Sequence, residues 1–521
     1  MSLGNVQRSP GHALSNALVP IWTRTFIGER PIWQWLIAVI VGVTLGIYTL
    51  GLEALPARWA PLSVLAVLCL FVAMVVGNVR RLLLAIMILD IPLGLDINFA
   101  YRPDAAELNA LGGLSISLTT ICLAVLYALW LAELLARKRS PDYSRVWNGT
   151  TISLAAFVVI TTLSVVVARD VMLSLYEIAL LLQMFLLYIY VVGTVRTRQD
   201  VLFVITLLLI GLFLESIVMI WLRFSEQSIR FAGIWARIDR STRVGGTVGS
   251  PNAAASYLSL LLPLAVSVLL TRLGRPYKLL GLLAFAGGGI ALLFTLSRGG
   301  WNAFVWSMIV LYLFLAWRRG IHSLKSLILT TVGLLFLVLL FQDTIAARLV
   351  GSEGSSAETR LQMMRLAMKI IKDHPLLGVG ANNFAVMIPH YATPEFTGWL
   401  HTVHNKYLLV WAEAGLGALV AFLLFLLTTV RHGWRSWKLD DPLLSPLALG
   451  FIAGIVGQMS HMFLDLFHGR PQVQGLWLVA GLIVAIYNTV GDPLPDSNIK
   501  RSGAVPLARE NVAIPANRSA V

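Results

Sequence analysis

Apolar positions along this chain come in long unbroken runs separated by polar turns, with no stretch of strict alternation. Runs lie near 33–50, 61–77, 82–97, 115–136, 150–168, 171–194, 201–222, 253–271, 279–296, 301–317, 326–341, 405–430, 446–467 and 473–490. A helix rising about 1.5 Å per residue needs roughly 20 residues to cross a hydrocarbon core of about 30 Å, and most of these runs approach or exceed that length. With no alternating pattern to build a barrel, helices must carry the spans, and the pattern predicts an all-α integral membrane protein with about 12–14 transmembrane helices.

Composition agrees: 57% hydrophobic and 13% charged residues, with mean hydropathy +0.79, exclude an ordinary water-soluble globule. The net charge of +14 is not read as a nucleic-acid footprint, because most of the cations flank spans. Placing Arg80, Arg81, Arg137 to Arg139, Arg272, Arg275, Arg318 and Arg431 inside satisfies the positive-inside rule and puts both termini in the cytoplasm. Cys69 and Cys122 sit in apolar runs, which argues against a disulfide framework or a thiolate metal site. The resulting organisation is a cytoplasmic leader over 1–31, a polytopic domain over 32–490 and a disordered cytoplasmic tail over 491–521, without internal repeats.

Two polar insertions fall on the external side. The first, 223–252, gathers Arg223, Arg230, Arg237, Arg240 and Arg243 against the positive-inside tendency and ends in glycines, Ser-Pro-Asn252 and a helix start whose amides suit an oxyanion. Those arginines read either as ligands for an anion or as contacts to headgroups. The second, 342–404, is too long for a turn and predicts a structured lid with its own helix. Ser355 and Glu358 match a capping box, Leu361, Met364, Met368 and Ile371 mark an apolar stripe beside Arg365, Lys369 and Lys372, and Pro375 ends the helix. Such a basic amphipathic helix is also a common interfacial element.

Between two apolar runs, Ser-Arg-Gly-Gly-Trp at 297–301 leaves Arg298 on the external side, as a bidentate phosphate clamp or as a snorkelling cation. At 401–405, His-Thr-Val-His-Asn enters an apolar helix, and neutral imidazole is a proton acceptor near pH 7. Tyr391, Trp399 and Lys406 are candidates to line a cleft with these histidines. His461, Asp465 and His468 fall on one face if the penultimate span is continuous, either as a metal or proton-relay group or with Asp465 paired to an arginine.

Arg243 with its glycines and Pro-Asn, Ser-Arg-Gly-Gly-Trp at 297–301, Pro-Leu-Leu-Gly-Val-Gly at 375–380, His404-Asn405 and Glu413-Ala-Gly-Leu-Gly together resemble the O-antigen ligase and polymerase superfamily, over roughly 230–430. The resemblance implies a GT-C type, metal-independent inverting glycosyltransferase in the bacterial inner membrane, with its active site facing the periplasm and no cofactor. The implied donor is an undecaprenyl-diphosphate-linked glycan, and the implied acceptor is lipid A-core or a growing glycan. His404 becomes the catalytic base and Arg243 and Arg298 the diphosphate ligands, with His401, Asn405, Arg240, Arg360, Asn252 and Glu413 as possible support and no metal. His401 leaves the choice of base open. Protein O-oligosaccharyltransferase, transporter and non-catalytic scaffold remain the alternatives.

Overall fold

The computed structural model describes residues 78–135, 145–231, 234–239, 242–319, 339–350, 354–393, 401–439 and 441–491, with 328 and 331–333 as isolated residues. The leader, the tail, the spans near 33–50 and 61–77, most of the span near 326–341, Arg240 and Trp399 lie outside them. Among the described residues ten helices are long and apolar enough to cross a membrane.

The chain begins with α1 (Val79–Leu93), a short hairpin of β1 (Asp96–Phe99) and β2 (Leu114–Ser117) that encloses α2 (Pro103–Glu107), then α3 (Leu118–Leu135), α4 (Gly149–Leu163), α5 (Val171–Thr194) and α6 (Arg198–Ser225). Strands β3 (Ile229–Phe231), β4 (Ile234–Asp239) and β5 (Arg243–Gly246) form an antiparallel sheet in which Asp239 pairs with Arg243. Next come α7 (Pro251–Leu270), α8 (Arg275–Phe294) and α9 (Arg298–Arg319). After α10 (Gln342–Val350), α11 (Gly354–Asp373) and α12 (Phe384–Tyr391), the chain closes with α13 (Lys406–Lys438), α14 (Leu444–His461) and α15 (Arg470–Gly491).

Helices α7, α14 and α15 form the centre: their span windows are 83% buried, against 28% for α3 at the rim. Small residues let the central helices touch. A side chain at Gly454 would meet the Leu260 carbonyl at 2.3 Å, and one at Gly450 would meet Ser267 Oγ at the same distance.

Both sheets lie at the end of the bundle where α1 finishes and α7 starts, and the hydropathy pattern foreshadowed neither. Their strands are only three to six residues long, so even the alternation in Asp96–Phe99 and Leu114–Ser117 is too brief to stand out. The sheet that holds Arg243 is fixed from below. Thr247 N–H donates to Glu215 Oε1 at 2.9 Å, and Gly246, at φ +61°, has no room for a side chain because a Cβ would fall 1.9 Å from that oxygen.

Two sequence expectations are corrected. Helix α11 starts at Gly354, ahead of the expected Ser355 cap, and buries Met363, Leu366, Ala367, Ile370 and Ile371, whereas Leu361 and Met368 are about half exposed. The 363/366/367/370/371 pattern gives the continuous apolar face, so the helix is rotated from the expected stripe. The penultimate span stops at His461, and 462–469 is a turn, so His461, Asp465 and His468 do not share a helical face.

Candidate active site

Two helix N-termini, β5 and α11 converge on one small cleft, lined by Arg243, Asn252, Ser297, Arg298, Gly299, Arg360, His461 and Leu464. Arg243 Nη2 donates to Asn252 Oδ1 at 2.9 Å and its Nε to the Thr295 carbonyl at 3.3 Å. Ser297 Oγ donates to the same Asn252 oxygen at 3.0 Å, which ties the start of α7 to the start of α9. The two bonds made by Arg243 aim its guanidinium. The positive ends of α7 and α9 add to the field.

The glycines after Arg298 are there for packing. A Cβ on Gly299 would lie 2.9 Å from His461 Cδ2, and one on Gly300 would lie 2.4 Å from Ala255 Cβ. Bare backbone at these positions lets the first turn of α9 press on both α7 and the end of α14.

His401 and His404 stand beside the cleft, their rings 4.5 Å apart and edge to face. Both Nδ1 atoms meet the Thr402 carbonyl, at 2.9 Å and 3.2 Å. A carbonyl only accepts, so both rings carry their proton on Nδ1 and keep the lone pair on Nε2. Burial, the neighbouring His401 and the Arg360 charge push His404 down to about 4, against an opposing pull from Asp465. Burial and Arg360 also lower His401. Both imidazoles are therefore neutral at pH 7, and Arg360 joins them electrostatically to the cleft.

The histidine loop is held on both sides. Thr402 N–H and Oγ1 donate to the Leu108 carbonyl at 2.9 Å and 2.8 Å, Lys406 N–H donates to the Met462 carbonyl at 2.8 Å, and Tyr407 OH to the Met459 carbonyl at 2.8 Å. Asn405 is the N-cap of α13, accepting from Tyr407 N and Leu408 N, both at 3.1 Å. Its side chain is committed to the helix start.

Glu413 is a scaffold residue too: its carboxylate accepts from Phe384 N at 3.0 Å. The backbones of Val379 and Gly380 dock on the Ala412 and Glu413 carbonyls at 2.9 Å and 2.8 Å, next to the kink at Gly415 (φ +82°). Thus Pro-Leu-Leu-Gly-Val-Gly and Glu-Ala-Gly-Leu-Gly, far apart in sequence, are two halves of one joint. Lys406 is buried 3.9 Å from Glu177, and Tyr391, the last residue of α12, packs against the buried face of α11, so neither lines the cleft.

Of the expected site residues, the structure brings Arg243, Asn252, Arg298 and Arg360 together with His401 and His404 beside them. Ser297 and His461 were not expected in the cleft, although the polar 461–468 cluster was the signal that could have found His461. Asp465 accepts from Gln472 Nε2 at 2.7 Å instead of pairing with an arginine. Burial raises its carboxyl, but His461 and the Gln472 amide outweigh this and hold it below the usual range.

A helical multi-pass membrane protein with a cationic cleft and two neutral imidazoles at one end of its bundle is the class these features define. Residues 281–423 match the model of the family described as O-antigen ligase. The matched stretch contains Arg298, Arg360, His401, His404, Asn405 and Glu413, while Arg243 and Asn252 precede it. Comparison with curated proteins gives no match.

Proposed function

We propose that this protein transfers glycan from a polyprenyl-diphosphate carrier, undecaprenyl diphosphate by family resemblance, to an acceptor hydroxyl at the periplasmic face of the bacterial inner membrane. The observation that carries the reading is the placement of Arg243, Arg298 and Arg360 around one cleft with the neutral His404 beside it. O-antigen ligase or surface-polysaccharide polymerase is the activity this reading favours.

The acceptor oxygen loses a proton as it attacks the anomeric carbon, and His404 Nε2 is the lone pair that takes it. As the glycosidic bond breaks, charge grows on the leaving diphosphate. Guanidiniums and helix N-termini already oriented toward it stabilise that charge more in the transition state than in the ground state. Arginine charge then does what a divalent metal does elsewhere, and attack opposite the diphosphate inverts the anomeric centre. Burial keeps His404 unprotonated, and the charges of His401 and Arg360 add to that effect.

The test is transfer by purified protein from undecaprenyl-diphosphate glycan to two acceptors, lipid A-core and a second copy of the donor, with His404→Ala as control. Product on lipid A-core identifies a ligase and elongated carrier-linked glycan a polymerase. Equal turnover by wild type and His404→Ala removes the base assignment. Failure of both acceptors favours protein glycosylation or transport.

A further inference from the structure

Helix α11 carries two faces of opposite character. At about 100° per residue, Met363, Leu366, Ala367, Ile370 and Ile371 point inward and pack with Leu409 and Ala412 of α13. Leu361, Arg365, Met368, Lys369 and Lys372 fall on a stripe turned the other way, and all five are exposed, Leu361 at 49% and Met368 at 50%. Arg360 sits on the edge of the inward face and lines the cleft. Glu358 lies at the N-terminal end of the outer side and Asp373 closes the helix at its C-terminal end, so the three cations at 365, 369 and 372 outnumber the acids along the stripe.

The depth of that end is fixed by its contacts. The Pro375 carbonyl accepts from Leu416 N at 3.0 Å and from Trp411 Nε1 at 3.1 Å. Leu416, Val420, Leu424 and Leu427 are exposed at three- and four-residue intervals on α13, a membrane-crossing helix, and so form its lipid-facing stripe. Leu376 and Leu377, 72% and 44% exposed, continue that stripe directly beyond α11. Lys369 and Lys372 thus lie within two helical turns of Pro375 and of the leucines that continue this stripe.

We propose that the outer stripe of α11 docks on anionic phospholipid headgroups of the surrounding bilayer and thereby sets the position of Arg360 in the cleft. Apolar side chains spaced among cations match an anionic lipid surface. One rigid helix joins the stripe to Arg360, so seating the stripe fixes the rotation of the helix about its axis. The effect on turnover rests on the glycan-transfer reading, whereas the lipid contact does not.

Two readouts separate these. A nitroxide on Met368→Cys, in a chain with Cys69 and Cys122 replaced by Ala, is placed in nanodiscs of phosphatidylcholine with or without phosphatidylglycerol. The expected result is relaxation by lipid-dissolved oxygen when phosphatidylglycerol is present, and by an aqueous nickel chelate when it is absent or when Arg365, Lys369 and Lys372 are all changed to Gln. A label relaxed by the aqueous chelate in both lipids, or one indifferent to the three Gln changes, overturns the docking surface. In the transfer assay wild type gains on the order of fivefold with phosphatidylglycerol, and the triple variant keeps its phosphatidylcholine rate but loses that gain. Equal stimulation of both proteins overturns the link to Arg360. A lipid-dependent label in a protein that transfers no glycan to any acceptor leaves the surface standing and contradicts the proposed function instead.

Discussion

Arg243 and Arg470 sit at the same end of the bundle and are held in opposite ways. Arg470 Nη1 lies 2.9 Å from Asp90 and its Nε 2.6 Å from Asp96, while Asp90 also accepts from Thr119 Oγ1 at 2.7 Å and Gln474 Oε1 receives a further guanidinium bond at 2.6 Å. That guanidinium is neutralised, and its work is to clamp α15 to α1 and β1. Arg243 donates to an amide oxygen and a carbonyl oxygen at the mouth of the cleft, which fix the direction of its guanidinium. One arginine is locked between two carboxylates away from the cleft, and the other is aimed into the cleft lining.

The comparison is broken most severely at Arg470. Arg470→Ala leaves Asp90 and Asp96 buried without their cation and should destabilise the protein by about 3–5 kcal/mol, seen as a collapse of Tm in detergent. Arg243→Ala removes the hydrogen bonds to the Asn252 amide and the Thr295 carbonyl and should cost about 1 kcal/mol of stability. Equal losses of Tm for the two variants would erase the distinction.

Turnover should sort the same residues in reverse. Arg298→Lys keeps the charge but loses the planar fork, and transfer should fall about 10²-fold with Tm unchanged. Wild-type turnover with Lys removes the clamp role.

A smaller effect tests the packing that brings the two helix starts together. Gly300→Ala places a methyl 2.4 Å from Ala255 Cβ, and overpacking should cost about 1–3 kcal/mol and raise KM for the donor.

The gentlest probe is pH. His404 is depressed to about 4 in the free protein, so kcat/KM should stay flat as pH drops through the ordinary histidine range and fall only as His404 protonates. Arg360 lowers this value, so Arg360→Gln should move the acid limb upward. An acid limb that stays in place contradicts the electrostatic link between Arg360 and His404.

Much of the fold was legible because membrane spans are written locally. The run at 171–194 coincides with α5, and those at 201–222 and 253–271 lie within a few residues of α6 and α7. Arg243 and Arg298 stood out because a cation is conspicuous beside apolar runs. What stayed hidden was decided over long distances in sequence. His461 reaches the cleft because α14 ends there and Gly299 makes room for its ring. The inward face of α11 is chosen by α13, and Asn405 looks chemical in sequence but caps α13. A hydrophobic period cannot report which partner a face will meet, nor that two glycine motifs form one joint.

The measurement that bears most directly on the account is donor binding and single-turnover release of polyprenyl diphosphate, taken together on wild type, Arg298→Ala and His404→Ala. If the arginine cleft holds the diphosphate and His404 takes the acceptor proton, Arg298→Ala loses donor affinity, while His404→Ala binds donor like wild type and releases no diphosphate. Wild-type release by His404→Ala, or wild-type donor affinity in Arg298→Ala, contradicts it.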